Sequence, residues 1–508
     1  MANTGEIGNS PKGENKETMT ENTKDRLLIL RKEIEKRALQ TWEAVFEHQK
    51  VPALHLSPQE IQAWSRVYMS NMQESGRLWS VEDNAIGKIE EMTLINVRGN
   101  NATLLSAEVQ SIARTFADRK LVILCKQPEM GIQAFEEKAK QELLQQGLQD
   151  TKNVHFRYAE HYRDHWARDN FLRVYDYRYG KNVFVHSTQN KRGAFAKELA
   201  EQDAEQRSIH EEVPFYFEGG DLRAVGPYLF MGEETLEKAG HALIGKGLDV
   251  HPKLVPMNMN PGEEDSYAQK RTETSSEERE AQEKILQSLG ELFGRKVVTV
   301  GEGDKYEQAL FHIDMFVTFL PNADQKPTVV VGDIGQTISI LEQLSEKEWN
   351  QTHQAMLGSQ VLLGTGKQHT IVDLSRKKED VVREMKTDSN TRLLRRRLDA
   401  AADWFANQEF SVVRTPTVIS QKHSRYRAYN NAIVEAYVDK DGNLKRKIYI
   451  PTFGISPLEH ALVQKYNTLG YEVIPVPNLS SSAENRGSLN CLTSEKRFQF
   501  DKEYREGQ

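Results

Sequence analysis

Cysteine is scarce in this chain, which carries only Cys125 and Cys491 among its 508 residues. Two cysteines cannot form a disulfide framework, so the chain suits a reducing compartment. Long apolar runs are also lacking, and none approaches the roughly 20 residues that cross a bilayer. The polar segment 1–24 has no apolar stretch of the kind found in secretory signals. We therefore expect a cytoplasmic protein without a membrane partner. Export by a route that needs no signal peptide stays an alternative.

An excess of basic charge is lacking as well. The chain has 67 lysines and arginines against 74 aspartates and glutamates, which gives a net charge of -7. Composition thus gives no reason to expect a nucleic acid as partner. We interpret the basic run at Arg392, Arg395, Arg396 and Arg397 as a solvated helix face.

Motifs for metals and phosphates are missing too. The sequence has no zinc-type spacing, no phosphate-binding glycine loop and no dinucleotide fingerprint. His155, His161 and His165 lie close together in sequence, but no further ligand set accompanies them. We expect no metal and no organic cofactor.

A chain of this length holds about two to four domains. Residues 1–24 contain almost nothing to bury, which predicts a disordered tail. From Leu27 to Phe46 apolar residues recur at near-helical spacing, and the pair Ser57-Pro58 is typical of a helix start. The sequence therefore predicts a helical N-terminal region over 25–117.

A different pattern begins near residue 118. Short apolar strands alternate with helices from there onward, which predicts an α/β architecture for 118–508 with a weak internal repeat. Two segments interrupt the alternation: 257–280 as a polar surface insertion, and 336–406 as a set of two or three helices. The predicted strands are centred on 121–124, 153–158, 183–185, 297–300, 329–331, 410–413, 448–450 and 472–476.

Cys491 is the first candidate for chemistry. It lies in the sequence Gly-Ser-Leu-Asn-Cys-Leu-Thr, at the end of a polar loop and just before an expected strand. A cysteine at such a junction is accessible, and functional residues concentrate in loops. The alternative is a buried and inert cysteine, because free cysteine is often buried.

Two further segments carry histidine and acids. His312 and Asp314 would share one face if 311–317 were a strand, and a polar pair on an apolar strand needs a partner. Glu218 and Asp221 bracket two glycines that allow a tight turn near a ligand, and an aromatic strand over 215–217 leads into them. The alternatives are a structural histidine–aspartate pair and an acidic surface turn.

Asp169 belongs to a fourth segment, Trp-Ala-Arg-Asp-Asn, over 166–170. Taken alone it would be a common surface pair of arginine and aspartate. The four segments together, in this order, resemble the arginine and agmatine deiminase superfamily, and most of all agmatine deiminases and bacterial peptidylarginine deiminase-like proteins. The resemblance covers roughly 118–500 and implies the pentein fold, a pseudo-fivefold α/β propeller.

The resemblance also implies roles. Cys491 would be the nucleophile, His312 the proton shuttle, and Glu218 the residue that orients the histidine, while Asp169 and Asp314 would bind a guanidinium group. No metal or cofactor is needed in such chemistry.

The sequence departs from the family pattern at two points. Asn490 stands where agmatine deiminases have a histidine before the cysteine. Asn170 and Phe171 stand where a glycine and a proline usually follow the aspartate.

Further substrate contacts are expected at Asp221, Arg425 and Asn430. Arg425, with Arg427, would hold a substrate carboxylate if it is not simply a surface charge. Asn430 follows Tyr429 at a place where family members carry a Tyr–Asn pair.

The expected activity is a cysteine hydrolase that deiminates arginine, agmatine, methylated arginine or peptidyl-arginine through a covalent thiouronium intermediate. The expected partner is a small guanidine substrate or an arginyl peptide. Amidinotransfer by the same fold and a non-catalytic binding module are the alternatives, and a Cys–His protease fits less well because the acids outnumber what a triad needs. The oligomeric state is left open.

Overall fold

The computed structural model describes a large part of the chain in detail. The described residues are 79–96, 103–159, 165–176, 181–188, 194–203, 208–213, 216–246, 275–293, 295–301, 308–321, 326–357, 377–420, 425–439, 441, 443–484 and 487–498. Every structural statement below refers to these residues.

Helices and short strands alternate along the described part of the chain, as the sequence predicts. The strands are β1 Trp79–Val81, β2 Lys88–Asn96, β3 Lys120–Cys125, β4 Val154–Tyr158, β5 Leu172–Asp176, β6 Lys181–Ser187, β7 Ser208–Val213, β8 Leu222–Val225, β9 Tyr228–Gly232, β10 Lys296–Val300, β11 Val317–Leu320, β12 Thr328–Asp333, β13 Ser411–Pro416, β14 Val418–Ser420, β15 Arg425–Arg427, β16 Ile433–Val438, β17 Leu444–Pro451, β18 Glu472–Val476 and β19 Thr493–Phe498. The α-helices are Ala107–Thr115, Ile132–Gln145, Ala167–Asn170, Ala194–Glu201, Glu233–Leu243, Ser276–Phe293, Ile334–Gln343, Glu346–Leu357, Lys378–Thr387, Ser389–Asn407, Ser456–Thr468, Ser480–Glu484 and Leu489–Leu492. The α/β architecture is therefore confirmed.

A topological repeat underlies this alternation. In each of five units the first strand is antiparallel to the second, the second is parallel to the third, and one or more helices connect the second strand to the third. Strand β1 extends one unit and β4 another, while β14 and β15 form a separate pair. The five units are β5-β6-β7, β8-β9-β10, β11-β12-β13, β16-β17-β18 and β19-β2-β3.

The last unit joins distant parts of the sequence. Strand β19 pairs with β2 in antiparallel register, with Thr493 opposite Leu94, and β2 then pairs with β3 in parallel register. Strand β2 is therefore an interior strand of its sheet, and most of its side chains are buried.

Branched and aliphatic side chains explain why these segments form strands. Val329, Val330 and Val331 of β12 are all completely buried, and Leu121 to Leu124 of β3 are buried almost as fully. Strands covered on both faces show continuous apolar runs of this kind. The largest core cluster takes side chains from several units.

The N-terminal part of the chain differs from the sequence-based expectation. Residues 79–81 and 88–96 are strands, whereas a helical region was expected up to residue 117, and only the Ala107–Thr115 helix agrees there. The reason is tertiary pairing, because β2 is hydrogen-bonded on both edges. Residues 1–78 lie outside the described residues, so the tail and the helices predicted there stay predictions.

The two segments predicted to interrupt the alternation, 257–280 and 336–406, also differ in part from the expectation. The Ser276–Phe293 helix begins inside the segment expected as a surface insertion, and residues 257–274 lie outside the described residues. In the described parts of 336–406 and next to it, four helices begin, and Arg397 in the basic run is buried rather than solvated. Among the described helices, none combines the length and apolar character needed to cross a membrane.

Candidate active site

Each of the five units contributes polar residues to one site from the segment just before its first strand. These residues are Asp169 before β5, Glu218 before β8, His312 and Asp314 before β11, Asn431 before β16, and Cys491 before β19. The segments are short turns of helix or extended chain, so they carry little structure of their own and depend on the strands that follow them.

Cys491 lies at the centre of this site. Its thiol accepts a hydrogen bond from Asn431 Nδ2 at 3.1 Å and lies 3.6 Å from Asp314 Oδ2. Its backbone N–H donates to Asn431 Oδ1 at 3.2 Å, so one asparagine holds the cysteine at both ends. The residue is 2% exposed, and the accessible position expected from the loop sequence is therefore wrong for this structure.

His312 is fixed from one side and faces the cysteine with the other. Its Nε2 lies 2.6 Å from Glu218 Oε2, and its Nδ1 lies 3.8 Å from Asp169 Oδ1. His312, Asp314 and Cys491 each bring one side-chain nitrogen, oxygen or sulfur atom within 4.8 Å of those of the other two. The imidazole is thus within reach of both the thiol and anything bound beside it.

The local structure here is not the strand that was expected. Ile313–Met315 form a single 3-10 turn, and the strand begins only at Val317. The backbone N–H of Ile313 donates to Asp221 Oδ1 at 2.9 Å. The aromatic segment before Glu218 is not a strand either, because Tyr216 and Phe217 have no regular secondary structure and Phe215 lies outside the described residues.

Gly220 allows the charged groups to converge. A β-carbon at this position would lie 2.6 Å from His312 Nδ1, 3.1 Å from Asp169 Oδ1 and 3.2 Å from Asp314 Oδ2. No side chain larger than hydrogen fits there without moving at least one of these groups. The double glycine of the sequence therefore serves close approach at this position.

The two aspartates present carboxylate oxygens to this space. Asp169 Oδ1 accepts a hydrogen bond from the backbone N–H of Gly220 at 3.1 Å, which aims the carboxylate at the site. Asp314 Oδ1 is buried and has no hydrogen-bond partner among the described residues. A buried carboxylate oxygen without a partner is costly and marks a place for a ligand donor.

A chain of two hydrogen bonds orients the carboxylate of Asp314. Asn490 Nδ2 donates to Asp314 Oδ2 at 2.6 Å, and Arg223 Nη1 donates to Asn490 Oδ1 at 2.9 Å. Burial lowers the pKa of Arg223 to about 10, so the guanidinium group keeps its charge at neutral pH. Asn490, which departs from the family pattern in the sequence, thus has a defined place in the site.

Two of the predicted substrate contacts, Asp221 and Asn430, face other partners, and the one at Arg425 stays a prediction. Asp221 is completely buried and accepts from Gln308 Nε2 and from the backbone of Ile313, which places it behind the site as a support. Asn430 turns its amide to the carbonyl of Val330 at 3.0 Å. The backbone of Arg425 belongs to β15, but its side chain lies outside the described residues.

Asn431 is the residue that the sequence reasoning missed. It directly follows the Tyr–Asn pair in the sequence, and it contacts Cys491 through both atoms of its side-chain amide. The only signal was two consecutive asparagines in a turn. Nothing in that pattern shows which of the two side chains faces the cysteine.

Burial and nearby charges set the protonation of the site. Burial raises the pKa of the Cys491 thiol to about 12, with Asp314 acting in the same direction and His312 against it. Burial alone would lower the pKa of His312, but Asp169, Cys491 and Glu218 together hold it well above its usual range. These shifts favour a neutral thiol beside a charged imidazolium at neutral pH.

Alkylation of Cys491 should reveal this state. Because only the thiolate reacts, the rate of modification by iodoacetamide should rise about tenfold per pH unit from about pH 7 to about pH 9. Mass spectrometry of the peptide that contains Cys491 would measure the rate. A plateau within this range would contradict the neutral thiol, because it would mean that the thiolate already predominates in the empty site.

Several solved structures of guanidine-modifying enzymes are similar to this chain. An agmatine deiminase from C. jejuni is 12% identical, with 83% of this chain and 97% of that chain covered and a TM-score of 0.45. A putative arginine deiminase from Porphyromonas gingivalis is 14% identical, with 82% and 98% covered and a TM-score of 0.46. A DDAH from Pseudomonas aeruginosa, solved with citrulline, is 12% identical, with 80% and 99% covered and a TM-score of 0.31. No protein-family model and no curated protein matches the sequence.

Proposed function

We propose that this protein is a cysteine hydrolase of a guanidinium compound. The observation that carries the proposal is the convergence of a thiol, an imidazole and two carboxylates on the space beside Gly220. A binding module would have no use for the thiol at its centre. The proposal also takes the five units as blades of the propeller that the family resemblance implies, with the site where their connecting segments meet.

A guanidinium group fits the two carboxylates. It is planar, charged and offers five N–H donors, and carboxylates accept such donors in pairs. Asp169 and Asp314 would hold it from two sides, and Asp314 Oδ1, which has no hydrogen-bond partner among the described residues, would accept from one of its N–H groups. Its central carbon would then lie next to Cys491.

Binding of a cation also prepares the nucleophile. A positive charge beside the thiol favours its ionised form. The raised pKa of Cys491 would therefore fall when the substrate binds, and the thiol proton would leave to solvent. The site would thus generate the reactive thiolate only with substrate in place.

The reaction then proceeds in two halves. The Cys491 thiolate attacks the guanidinium carbon, His312 gives its proton to the departing nitrogen, and ammonia leaves as the C–N bond breaks. The product of this half is a cationic thiouronium on the cysteine. His312 next removes one proton from water as its oxygen attacks the same carbon. The C–S bond then breaks, and the remaining hydroxyl proton passes to the sulfur, which releases a ureido product and restores the Cys491 thiol and the charged imidazolium.

A product screen tests this proposal. The purified protein would be incubated with arginine, agmatine, dimethylarginine and an arginyl peptide, and ureido product and released amine would be measured for each. We expect one of these to be converted with equal amounts of both products. Amidinotransfer would instead require an added amine as acceptor, and the absence of product with every compound would overturn the proposal.

Charge removal at the two aspartates should weaken the reaction strongly. Asp169→Asn and Asp314→Asn keep the shape of the side chain but remove its charge, and a charged hydrogen bond is typically about 1.5–3 kcal/mol. Each variant should therefore lose at least about tenfold in kcat/KM, and the double variant should lose less than the product of the two because both hold one ligand. Steady-state kinetics would measure this.

Glu218→Gln is the matched comparison. It removes a charge of the same sign, but at a carboxylate that is hydrogen-bonded to His312. We expect it to lower kcat with a smaller change in KM. Wild-type kcat/KM in both aspartate variants would contradict the guanidinium assignment.

A further inference from the structure

A second group of ligating side chains lies on β6 and β7, apart from the residues of the candidate active site. His186 is on β6, and His210 and Glu212 are on β7. The two strands are parallel neighbours with His186 opposite Glu212, and His210 is two residues before Glu212. All three side chains therefore point to the same face of the sheet.

The three side chains converge closely. His210 Nε2 lies 2.7 Å from His186 Nδ1, and the two rings are stacked with their centroids 4.7 Å apart. Glu212 Oε1 lies 3.7 Å from His186 Nε2 and 4.0 Å from His210 Nε2. One ligating atom from each of the three falls within 4.8 Å of the others.

Histidine is the commonest metal ligand in proteins, because a ring nitrogen offers a lone pair to the ion. Lys197, a cation that acts on His210, is paired with Glu201 at 3.8 Å.

We propose that His186, His210 and Glu212 form a binding site for a divalent transition-metal ion of the Zn²⁺ or Co²⁺ class. Two imidazole nitrogens and one carboxylate oxygen are a known donor set for such ions, which leave a fourth position for water. Ligand atoms around tetrahedral zinc are about 3.3 Å apart. One ligating atom from each residue lies within 4.8 Å of the others, so changes in side-chain torsion angles can bring the three to this spacing.

The surroundings fit this role. His186 and His210 are largely buried and held in place by their strands, whereas the side chain of Glu212 is 38% exposed and gives an ion access from solvent. Strand β7 is the edge strand of its sheet. An ion bound here would tie β7 to β6 and stabilise the folded state by mass action.

The test has to separate this site from the active site, because His312, Asp314 and Cys491 also offer metal ligands. We would therefore use Cys491→Ala protein throughout and titrate it with Co²⁺ while following visible absorption. We expect binding of one ion, with the bands of a nitrogen and oxygen environment and no sulfur charge-transfer band. Thermal unfolding with and without Zn²⁺ gives an independent readout, in which the midpoint should rise.

Two variants test the ligands in this background. His210→Ala removes one nitrogen donor, and Glu212→Gln removes the charge at an exposed position where folding is not at risk. Since even residues outside the ligand set alter metal affinity by about 10–100-fold, each should weaken Co²⁺ binding at least about tenfold and abolish the thermal shift. His241→Ala is the control, because His241 is partly exposed and paired with Glu278 in another part of the chain.

The outcomes are distinct. Loss of binding in His210→Ala and Glu212→Gln, but not in His241→Ala, would support the site. Unchanged Co²⁺ affinity in Glu212→Gln and His210→Ala, or no binding to the Cys491→Ala protein, would overturn it. Either result is independent of whether the protein hydrolyses a guanidine.

Discussion

Replacing Cys491 by alanine should abolish turnover and leave the fold intact. The thiol is the only nucleophile placed among His312, Asp314 and Asn431 in the described part of the chain. Loss of a nucleophile typically removes most of the rate enhancement, so we expect a fall in kcat of at least about a thousandfold. Ammonia release and circular dichroism, measured on the same preparation, would show activity and fold together.

The fold should tolerate this change for a structural reason. Asn431 Nδ2, which donates to the thiol, also lies 3.5 Å from the carbonyl of Asp314 and from Met315 Sδ. The amide therefore has other partners when the sulfur is gone. Substantial activity in a well-folded Cys491→Ala protein would remove the nucleophile assignment.

Cys125 provides the matched control. It is buried to the same extent in β3, and burial raises the pKa of its thiol to about 12 as well. What distinguishes the two cysteines is their polar neighbours, because Cys491 lies beside Asn431, Asp314 and His312 whereas Cys125 lies in β3 between Asn96 of β2 and Tyr158 of β4. Cys125→Ala should keep kcat and KM, with only a modest loss of stability from the smaller side chain.

Replacing Gly220 by alanine should have the second largest effect. The added methyl group would lie 2.6 Å from His312 Nδ1, and either the imidazole or the turn has to move. A displacement of about 1 Å in a catalytic group can cost about a hundredfold in rate, so we expect at least that loss in kcat/KM. Overpacking also costs about 1–3 kcal/mol of stability.

Gly290→Ala separates the geometric effect from a general effect of glycine replacement. Gly290 lies within the Ser276–Phe293 helix, where a β-carbon would meet its nearest atoms at 3.4 and 3.8 Å. Alanine in a helix interior is favoured over glycine by about 1 kcal/mol. We expect full activity and an unchanged or higher melting temperature, and a Gly220→Ala protein as active as this control would contradict the crowded site.

The central site residues could be predicted from the sequence because they lie in short motifs with recognisable chemistry. His312 with Asp314, Glu218 before two glycines, and Cys491 after a polar loop each combine a reactive group with a turn. Their convergence depends on the fold, and the structure brings them together. The α/β alternation was equally readable, since its strands are rich in valine, isoleucine and leucine.

What the sequence could not show are choices made by tertiary hydrogen bonds. Asn431 rather than Asn430 meets the cysteine, because Asn430 is held by Val330. Asp221 supports the site instead of lining it, because the turn before β8 directs its carboxylate to the backbone of Ile313. Local propensity does not distinguish between such neighbours.

The prediction of a helical region was wrong for residues 88–96 for a related reason. Its sequence, Lys-Ile-Glu-Glu-Met-Thr-Leu-Ile-Asn, contains glutamates and a methionine that are compatible with a helix. Strand partners at both of its edges decide the outcome. Such partners come from distant sequence, so β propensity depends strongly on context.

The pairing of β19 with β2 has a consequence for how the protein acquires its activity. Cys491 sits directly before β19, and that strand finds its register only when Thr493 meets Leu94, across most of the chain. Contacts between residues so far apart in sequence form slowly, because a long loop has to close before they stabilise anything. Helices and local hairpins can therefore be complete while the nucleophile is still unplaced, and the appearance of catalysis marks the end of folding rather than its progress.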